Sequence, residues 1–171
     1  MPINDGLADH LLGISLPSLS LLATNGSEID LSKVKGRFVV YCYPRTGTPN
    51  TSLPEGWDQI PGARGCTPQS LAYRDHYQAL KALGVEVFGL SVQTTEYQTE
   101  MVSRLDLPFP VLSDNHFELQ RALNLPTFEV AGMILLKRLT LIVKDGVVEA
   151  VHYPVFPSDS DPTWVLGKLG R

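Results

Sequence analysis

Two residues of this chain carry a thiol that could act as a nucleophile, Cys42 and Cys66. Two cysteines at this separation are not a disulfide framework. Neither has a Cys or His at metal-ligand spacing beside it, so no zinc site, and no other metal or cofactor, is predicted. The histidines are dispersed, and each is interpreted as a surface or satisfied core residue: His10, His76, His116 and His152.

Cys66 stands directly before a predicted helix, for which Thr67 is a good N-cap and Pro68 a good first residue. The free N–H groups at a helix N-terminus carry about half a positive charge, which favours a thiolate over a thiol. A thiolate can attack a peroxide O–O bond, and its first product is a sulfenic acid. Position by itself leaves Cys66 as either a reactive thiol or a buried structural cysteine.

The elements that must position this cysteine alternate along the chain. A hairpin around Asn25-Gly26 comes first, and Gly36 to Tyr43 then reads as a central strand. Further strands are predicted over 85–92, 108–112, 139–143 and 147–152, and helices open at Thr67, Thr95, Asn115 and Ser160. Thr95 with Gln98, and Asn115 with Glu118, match the capping-box pattern.

This order of elements predicts an α/β fold. Strands and helices alternate in the first part of the chain, and a hairpin lies near its end. This order favours a thioredoxin-like three-layer fold, with helices on both faces of a mixed central sheet and an N-terminal β-hairpin extension. The stretch from 44 to 65 carries four prolines and four glycines, which exclude regular structure. Leu53, Trp57 and Ile60 predict that this long loop packs onto the body.

The composition sets limits on domain count and partners. A length of 171 residues, 43% of them hydrophobic, predicts a single domain over 1–171. A net charge of −4 with scattered basic residues argues against nucleic acid and acidic membrane surfaces as partners. The N-terminus does not have the pattern of a signal peptide, and the longest apolar run, 131–136, is too short to span a bilayer. A cytoplasmic setting is therefore expected.

Several segments together resemble the peroxiredoxins, most closely the bacterioferritin-comigratory or PrxQ type. Residues 43–49 match the family's strand end with Tyr-Pro and Thr-Pro, and 65–67 and 73–75 match its Gly-Cys-Thr and Tyr-Arg-Asp. Residues 84–91 and 107–114 are similar to the following strand and proline-rich turn. The similarity covers roughly residues 16 to 155, and the order and spacing of the segments make it specific.

The resemblance implies a thiol peroxidase and assigns its residues. Cys66 would be the peroxidatic nucleophile, and Pro44 would shield its thiolate from water. Thr48 would offer a hydroxyl to thiolate and peroxide, although an ordinary turn residue is the alternative. Arg138 would place a guanidinium beside the sulfur, with a solvated strand end as the alternative. The implied partners are a peroxide and a small-molecule or protein thiol reductant, thioredoxin- or glutathione-like, acting on a monomer or homodimer.

The chain departs from the family pattern by an insertion over 50–64. The family threonine lies three residues before the cysteine, where this chain has Ala63. Thr48 can serve only if the inserted loop returns it to the sulfur, and Thr46 is a substitute. An alignment without the insertion would put Thr51 in the cysteine position. That alignment is rejected, because the Gly-Cys-Thr motif and the helix-start signal that follows it would then occur at this position only by chance.

A second departure concerns the resolving thiol. Many PrxQ-type proteins carry a cysteine five positions after the first, and this chain has Leu71 there. Cys42 lies in an apolar strand, which favours a buried, inert thiol over a resolving one. The prediction is a one-cysteine cycle with an external thiol.

Two other functions compete with the peroxidase. A thiol-disulfide oxidoreductase would need Cys-x-x-Cys, but Gln69 takes the second cysteine's place. A non-catalytic thioredoxin-like interaction domain could use Trp57 and Ile60 as a partner surface.

Overall fold

The computed structural model describes residues 2–46, 56–57 and 65–170. In these ranges the strands are β1 (Ser20–Ala23), β2 (Glu28–Asp30), β3 (Arg37–Cys42), β4 (Glu86–Ser91), β5 (Val111–Ser113), β6 (Thr127–Val130), β7 (Met133–Leu136), β8 (Leu139–Lys144) and β9 (Val147–His152). The α-helices are α1 (Cys66–Ala82), α2 (Thr95–Leu105), α3 (Glu118–Leu123) and α4 (Asp161–Leu169). A short 3₁₀ turn, Ser158–Ser160, leads into α4.

One mixed sheet organises these elements, in the strand order β2-β1-β5-β4-β3-β8-β9. The neighbours β5, β4 and β3 run parallel, and the remaining pairs run antiparallel. The hairpin β1–β2 joins the sheet through the pairing of β1 with β5. The predicted mixed sheet and N-terminal hairpin extension are therefore confirmed.

The central strand β3 divides the core into two clusters. Successive side chains of a strand point to opposite faces, so Val39 and Tyr41 lie on one side while Val40 and Cys42 lie on the other. The first side packs against α1, α2 and α4, and the second against α3 and the N-terminal segment. Helices on both faces of the sheet confirm the predicted three layers.

Two helices begin at other residues than the capping rules suggest. Helix α1 begins at Cys66 itself with Gly65 as N-cap, so the prediction of Thr67 as cap was wrong by two residues. Helix α2 follows Thr94, and no side-chain cap bond forms there. Gln98 does not cap either: its buried Nε2 donates to Ser91 Oγ at 2.9 Å and anchors α2 to the sheet.

The third helix is capped by a residue that the pattern did not single out. The two carboxylate oxygens of Asp114 accept hydrogen bonds from the backbone N–H groups of Leu119 at 3.0 Å and Gln120 at 2.8 Å. The predicted pair Asn115 and Glu118 does not form this cap. Burial of Asp114 raises the pKa of its carboxyl, although the backbone bonds oppose that rise.

The hairpin β6–β7 was missed, because its turn lacks the usual Asn-Gly signal. Ala131 and Gly132 both have positive φ, at 50° and 77°, as the two central residues of a type I′ turn require. Trp57 is buried against this hairpin, with its ring 6.1 Å from that of Phe128. The predicted packing is thus confirmed for Trp57, whereas Leu53 and Ile60 lie outside the described residues. In the described part of the chain, no helix is long and apolar enough to cross a membrane.

Asp114→Ala should lower the free energy of unfolding by about 1–2 kcal/mol, because two backbone N–H groups of α3 lose their acceptor. Chemical denaturation measures the change. Asp75→Ala, at an exposed aspartate, is the matched control and should change stability by no more than about 0.5 kcal/mol. Equal losses in the two variants would contradict the capping role.

Candidate active site

Cys66 is the first residue of α1 and is 4% exposed. Gly65 supplies the turn before it with φ of 113°, a left-handed conformation that other residues rarely adopt. Gln69 N–H donates to Gly65 C=O at 2.9 Å and closes the first turn of the helix around the cysteine. The sulfur therefore lies at the positive end of the helix in a nearly dry environment, where the helix field acts strongly.

Arg138 brings its guanidinium to this sulfur from the segment between β7 and β8. Its Nη2 donates to Cys66 Sγ at 3.2 Å, and its Nη1 donates to Gln69 Oε1 at 2.6 Å. The arginine is 6% exposed, so its charge is little screened by water. The guanidinium thus places a charged donor directly on the Cys66 sulfur.

Gln69 connects the arginine to a buried carboxylate. Its Nε2 donates to Asp161 Oδ2 at 3.0 Å, and the same oxygen accepts from Tyr73 OH at 2.7 Å and from Thr140 Oγ1. The other oxygen, Oδ1, lies 2.7 Å from His152 Nδ1. Asp161 is fully buried at the start of α4, so these contacts join α1, β8, β9 and α4 around one charged group.

The first turns of α1 are also fixed to the sheet beneath them. Tyr41 of β3 stacks on Tyr73 with ring centroids 4.5 Å apart, and its hydroxyl lies 3.0 Å from Ser70 Oγ. Burial raises the pKa of both tyrosines, and the nearby Asp161 carboxylate raises them further. Both hydroxyls therefore stay protonated, and Tyr73 remains a neutral donor to Asp161.

The other predicted site residues lie at the end of β3 or beyond the described ranges. Pro44 is buried two residues after the end of β3. Thr46 is also buried, and its backbone N–H donates to Gln93 Oε1 at 3.0 Å while its C=O accepts from Gln93 Nε2 at 3.1 Å. Thr48 lies outside the described residues, and its role stays a prediction.

The structure does not bring the second thiol to the site. Cys42 points to the face of the sheet that carries α3, whereas Cys66 belongs to the cluster on the opposite face. Complete burial raises the pKa of the Cys42 thiol, and the negative charges of Asp114 and Asp161 raise it further. Cys42 therefore has the properties of an inert core thiol, as its apolar strand predicted.

Sequence reasoning missed three of the groups around the arginine. Gln69 entered only as the residue that breaks a Cys-x-x-Cys motif, Asp161 only as a helix start, and His152 only as one dispersed histidine. A usable signal existed for Gln69, because a residue three positions after Cys66 shares its helix face. Asp161 carried no such signal, since it lies 92 positions from Gln69 along the chain.

Metal binding has no evident site in the residues described. Those ranges hold no group of three or more His, Cys, Asp or Glu side chains that could bind a metal ion.

Fold and geometry together define a thioredoxin-like protein with a buried cysteine at a helix start and an arginine on its sulfur.

Comparison with known proteins identifies the family. The redoxin family profile matches residues 12–165. The putative chloroplastic peroxiredoxin Q of Oryza sativa subsp. indica is 31% identical over 141 residues, which cover 82% of this chain and 58% of that protein. The chain therefore belongs to the redoxin family, as a homologue of the peroxiredoxins Q, and the resemblance inferred from the sequence motifs is confirmed. It spans about 58% of the rice relative's length.

Solved structures agree on the fold. Peroxidoxin BcpB from Mycobacterium tuberculosis matches with a TM-score of 0.75 at 21% identity, over 93% of this chain and 96% of that one. The bacterioferritin comigratory protein of Xanthomonas campestris, whose structure is described together with its alkyl peroxide reduction, matches with a TM-score of 0.73 at 20% identity, over 92% and 96% of the two chains. These neighbours support the thioredoxin-like fold.

Gly65→Ala should both destabilise the protein and slow the reaction of Cys66 with an alkylating probe. A left-handed conformation costs a residue with a Cβ about 1–2 kcal/mol, and the added Cβ would lie 2.9 Å from Ser158 Cβ and overlap its hydroxyl. Denaturant unfolding and alkylation kinetics measure the two effects.

Gly167→Ala provides the matched control for this prediction. Gly167 lies on the exposed side of α4 with open space around it, so an alanine there should leave reactivity unchanged and stability equal or slightly higher. A Gly65→Ala variant as reactive and stable as this control would contradict the role assigned to the turn.

Proposed function

We propose that this chain is a thiol peroxidase that reduces hydrogen peroxide or organic hydroperoxides through Cys66. The observation that carries the proposal is the 3.2 Å contact between Arg138 Nη2 and Cys66 Sγ at the start of α1. A buried guanidinium and a helix N-terminus converge on one sulfur, and a structural cysteine needs neither. The alkyl peroxide reduction recorded for the Xanthomonas campestris neighbour supports the same reading.

The reaction follows from the charges at the site. The Cys66 thiolate attacks the distal peroxide oxygen, so that an S–O bond forms as the O–O bond breaks. Cysteine is oxidised to the sulfenic acid, and the departing oxygen takes a proton to leave as water or an alcohol. Arg138 would stabilise the negative charge as it moves from sulfur to the departing oxygen, and its fixed position needs no reorganisation during that shift.

Regeneration is proposed to use an external thiol. One thiol attacks the sulfenic acid to form a mixed disulfide and water, and a second thiol then releases reduced Cys66. The orientation of Cys42 toward the other face of the sheet supports this one-cysteine cycle, because the sheet lies between the two thiols. Leu71, in the position of the usual resolving cysteine, is consistent with it.

The remaining assignments are part of the same proposal. Pro44 would limit water at the sulfur, and Thr48 or Thr46 would give a hydroxyl to the peroxide. The reductant would be thioredoxin- or glutathione-like, acting on a monomer or homodimer. A cytoplasmic setting also stays a prediction, since the rice relative is chloroplastic. The competing interaction-domain hypothesis is weakened by the burial of Trp57.

Treatment with hydrogen peroxide and a sulfenic-acid-specific probe should label Cys66 in the wild type and in Cys42→Ser, but not in Cys66→Ser. Intact mass should show no internal disulfide, because the two sulfurs lie on opposite faces of the sheet. Peroxide consumption, measured with dithiothreitol, thioredoxin and glutathione as reductants, should show the same pattern among the variants as the labelling. Absence of both labelling and consumption would reject the peroxidase, and an internal disulfide lost in Cys42→Ser would reject the one-cysteine cycle.

Arg138→Met should reduce the second-order rate constant for peroxide reduction by about 10²-fold, since the site loses a preorganised donor to the shifting charge. Stopped-flow kinetics under single-turnover conditions measure the chemical step. Arg121→Met removes an exposed guanidinium whose Nη2 donates to the His116 carbonyl, and it should keep the wild-type rate constant. Similar rate constants in the two variants would show that Arg138 does not act on the reaction.

A further inference from the structure

We propose that Asp161 is a positioning residue for the peroxidatic site, acting through Gln69 to hold the Arg138 guanidinium on the Cys66 sulfur. Asp161 does not contact the sulfur in the hydrogen-bond network described above. Its influence passes through two bonds in series, Asp161 Oδ2 with Gln69 Nε2 at 3.0 Å and Gln69 Oε1 with Arg138 Nη1 at 2.6 Å. The inference rests on the proposed peroxidase function.

The chemistry of the amide makes this connection directional. A glutamine side chain has a donor end and an acceptor end, an arginine has only donors, and an ionised carboxylate has only acceptors. With Asp161 in place, Gln69 must turn its NH₂ to the carboxylate and its oxygen to the guanidinium. The opposite orientation would put donor against donor at Arg138 and acceptor against acceptor at Asp161. The carboxylate therefore selects the only amide orientation that accepts from Arg138.

Loss of the Asp161 carboxylate would change the position of the Arg138 guanidinium relative to Cys66 Sγ. Without the Asp161 carboxylate, the NH₂ end of Gln69 loses the acceptor that fixes it, and the amide oxygen that accepts from Nη1 can shift. Nη1 and Nη2 belong to one rigid plane, so a shift of Nη1 also moves Nη2 away from Cys66 Sγ. Misplacement of a reacting or stabilising group by about 1 Å can cost about 10²-fold in rate.

The carboxylate is itself held independently of Gln69. Tyr73 OH and Thr140 Oγ1 donate to the same oxygen, and His152 Nδ1 lies against the other one while its ring stacks on Trp164 at 4.3 Å. These four residues come from α1, β8, β9 and α4, so the position of the Asp161 carboxylate does not depend on Gln69 alone. Asp75, an exposed aspartate of α1 that takes no part in the hydrogen bonds described above, offers a control.

A double-mutant cycle tests the inference, with the rate constant of Cys66 oxidation by hydrogen peroxide as readout. Asp161→Ala should lower this constant by about tenfold or more in the wild type. In the Arg138→Met background the same substitution should change it by less than about twofold, because the group through which it acts is absent. Asp75→Ala, at the exposed aspartate of α1, should stay within about twofold of the wild type.

An isosteric exchange keeps the test valid if Asp161→Ala does not fold. Gln69→Glu sets two carboxylates against each other and should slow the reaction by about tenfold or more. Asp161→Asn alone should lower the rate constant less than Gln69→Glu does, since its amide oxygen can still accept from Gln69. Combined with Gln69→Glu, Asp161→Asn should restore much of the lost rate, because its NH₂ can then donate to the new carboxylate.

The outcomes separate this inference from the peroxidase proposal. A wild-type protein that does not react with peroxide rejects the proposed function. A reactive wild type in which Asp161→Ala costs the same factor with and without Arg138 rejects the positioning role. Failure of Asp161→Asn to improve the Gln69→Glu variant rejects it as well. Thermal unfolding of each variant identifies losses that come from misfolding.

Discussion

The Arg138 guanidinium carries a full positive charge into a part of the protein that water hardly reaches. A buried charge is tolerated only where opposite charge or hydrogen-bond acceptors surround it, and leaving one partner out costs several kcal/mol. Two of its acceptors are the Cys66 sulfur and the amide oxygen of Gln69, whose NH₂ group donates to the Asp161 carboxylate. The Cys66 sulfur is therefore part of the arginine's own compensation, so the proposed reactive group also contributes to the hydrogen bonding of the buried charge.

This requirement explains why the site draws on elements that are distant in sequence. The helix α1 supplies the sulfur and the amide, the segment before β8 supplies the guanidinium, and α4 supplies the carboxylate. In an unfolded chain these groups would be hydrated and would not form hydrogen bonds with one another, so the arrangement exists only when sheet and helices are assembled. Replacing such a network by apolar residues often stabilises a protein, so stability alone does not account for it.

Much of the fold and the reactive pair were predictable, because their signals are local or belong to a family motif. The apolar strand that became β3, the helix after Cys66, and Arg138 at the opening of a late strand could all be read from short segments. The exact start of α1 could not, because Thr67 satisfies the capping rules, whereas the lack of room for a Cβ at Gly65 comes from the distant Ser158 in the folded chain. Asp161 was hidden for the same reason, since its partners lie on other elements.

The geometry of β3 determines which face of the sheet carries the Cys42 thiol. Side chains alternate across β3, so a thiol at position 42 faces α3, away from the side on which Cys66 lies. A shift of one position along the strand would turn that thiol toward α1, beside the buried tyrosines of the active-site face. The pairing of β3 with β4 and β8 fixes the register and prevents this shift. The sheet thus keeps the Cys42 thiol on the face opposite to the one that carries Cys66 and Arg138.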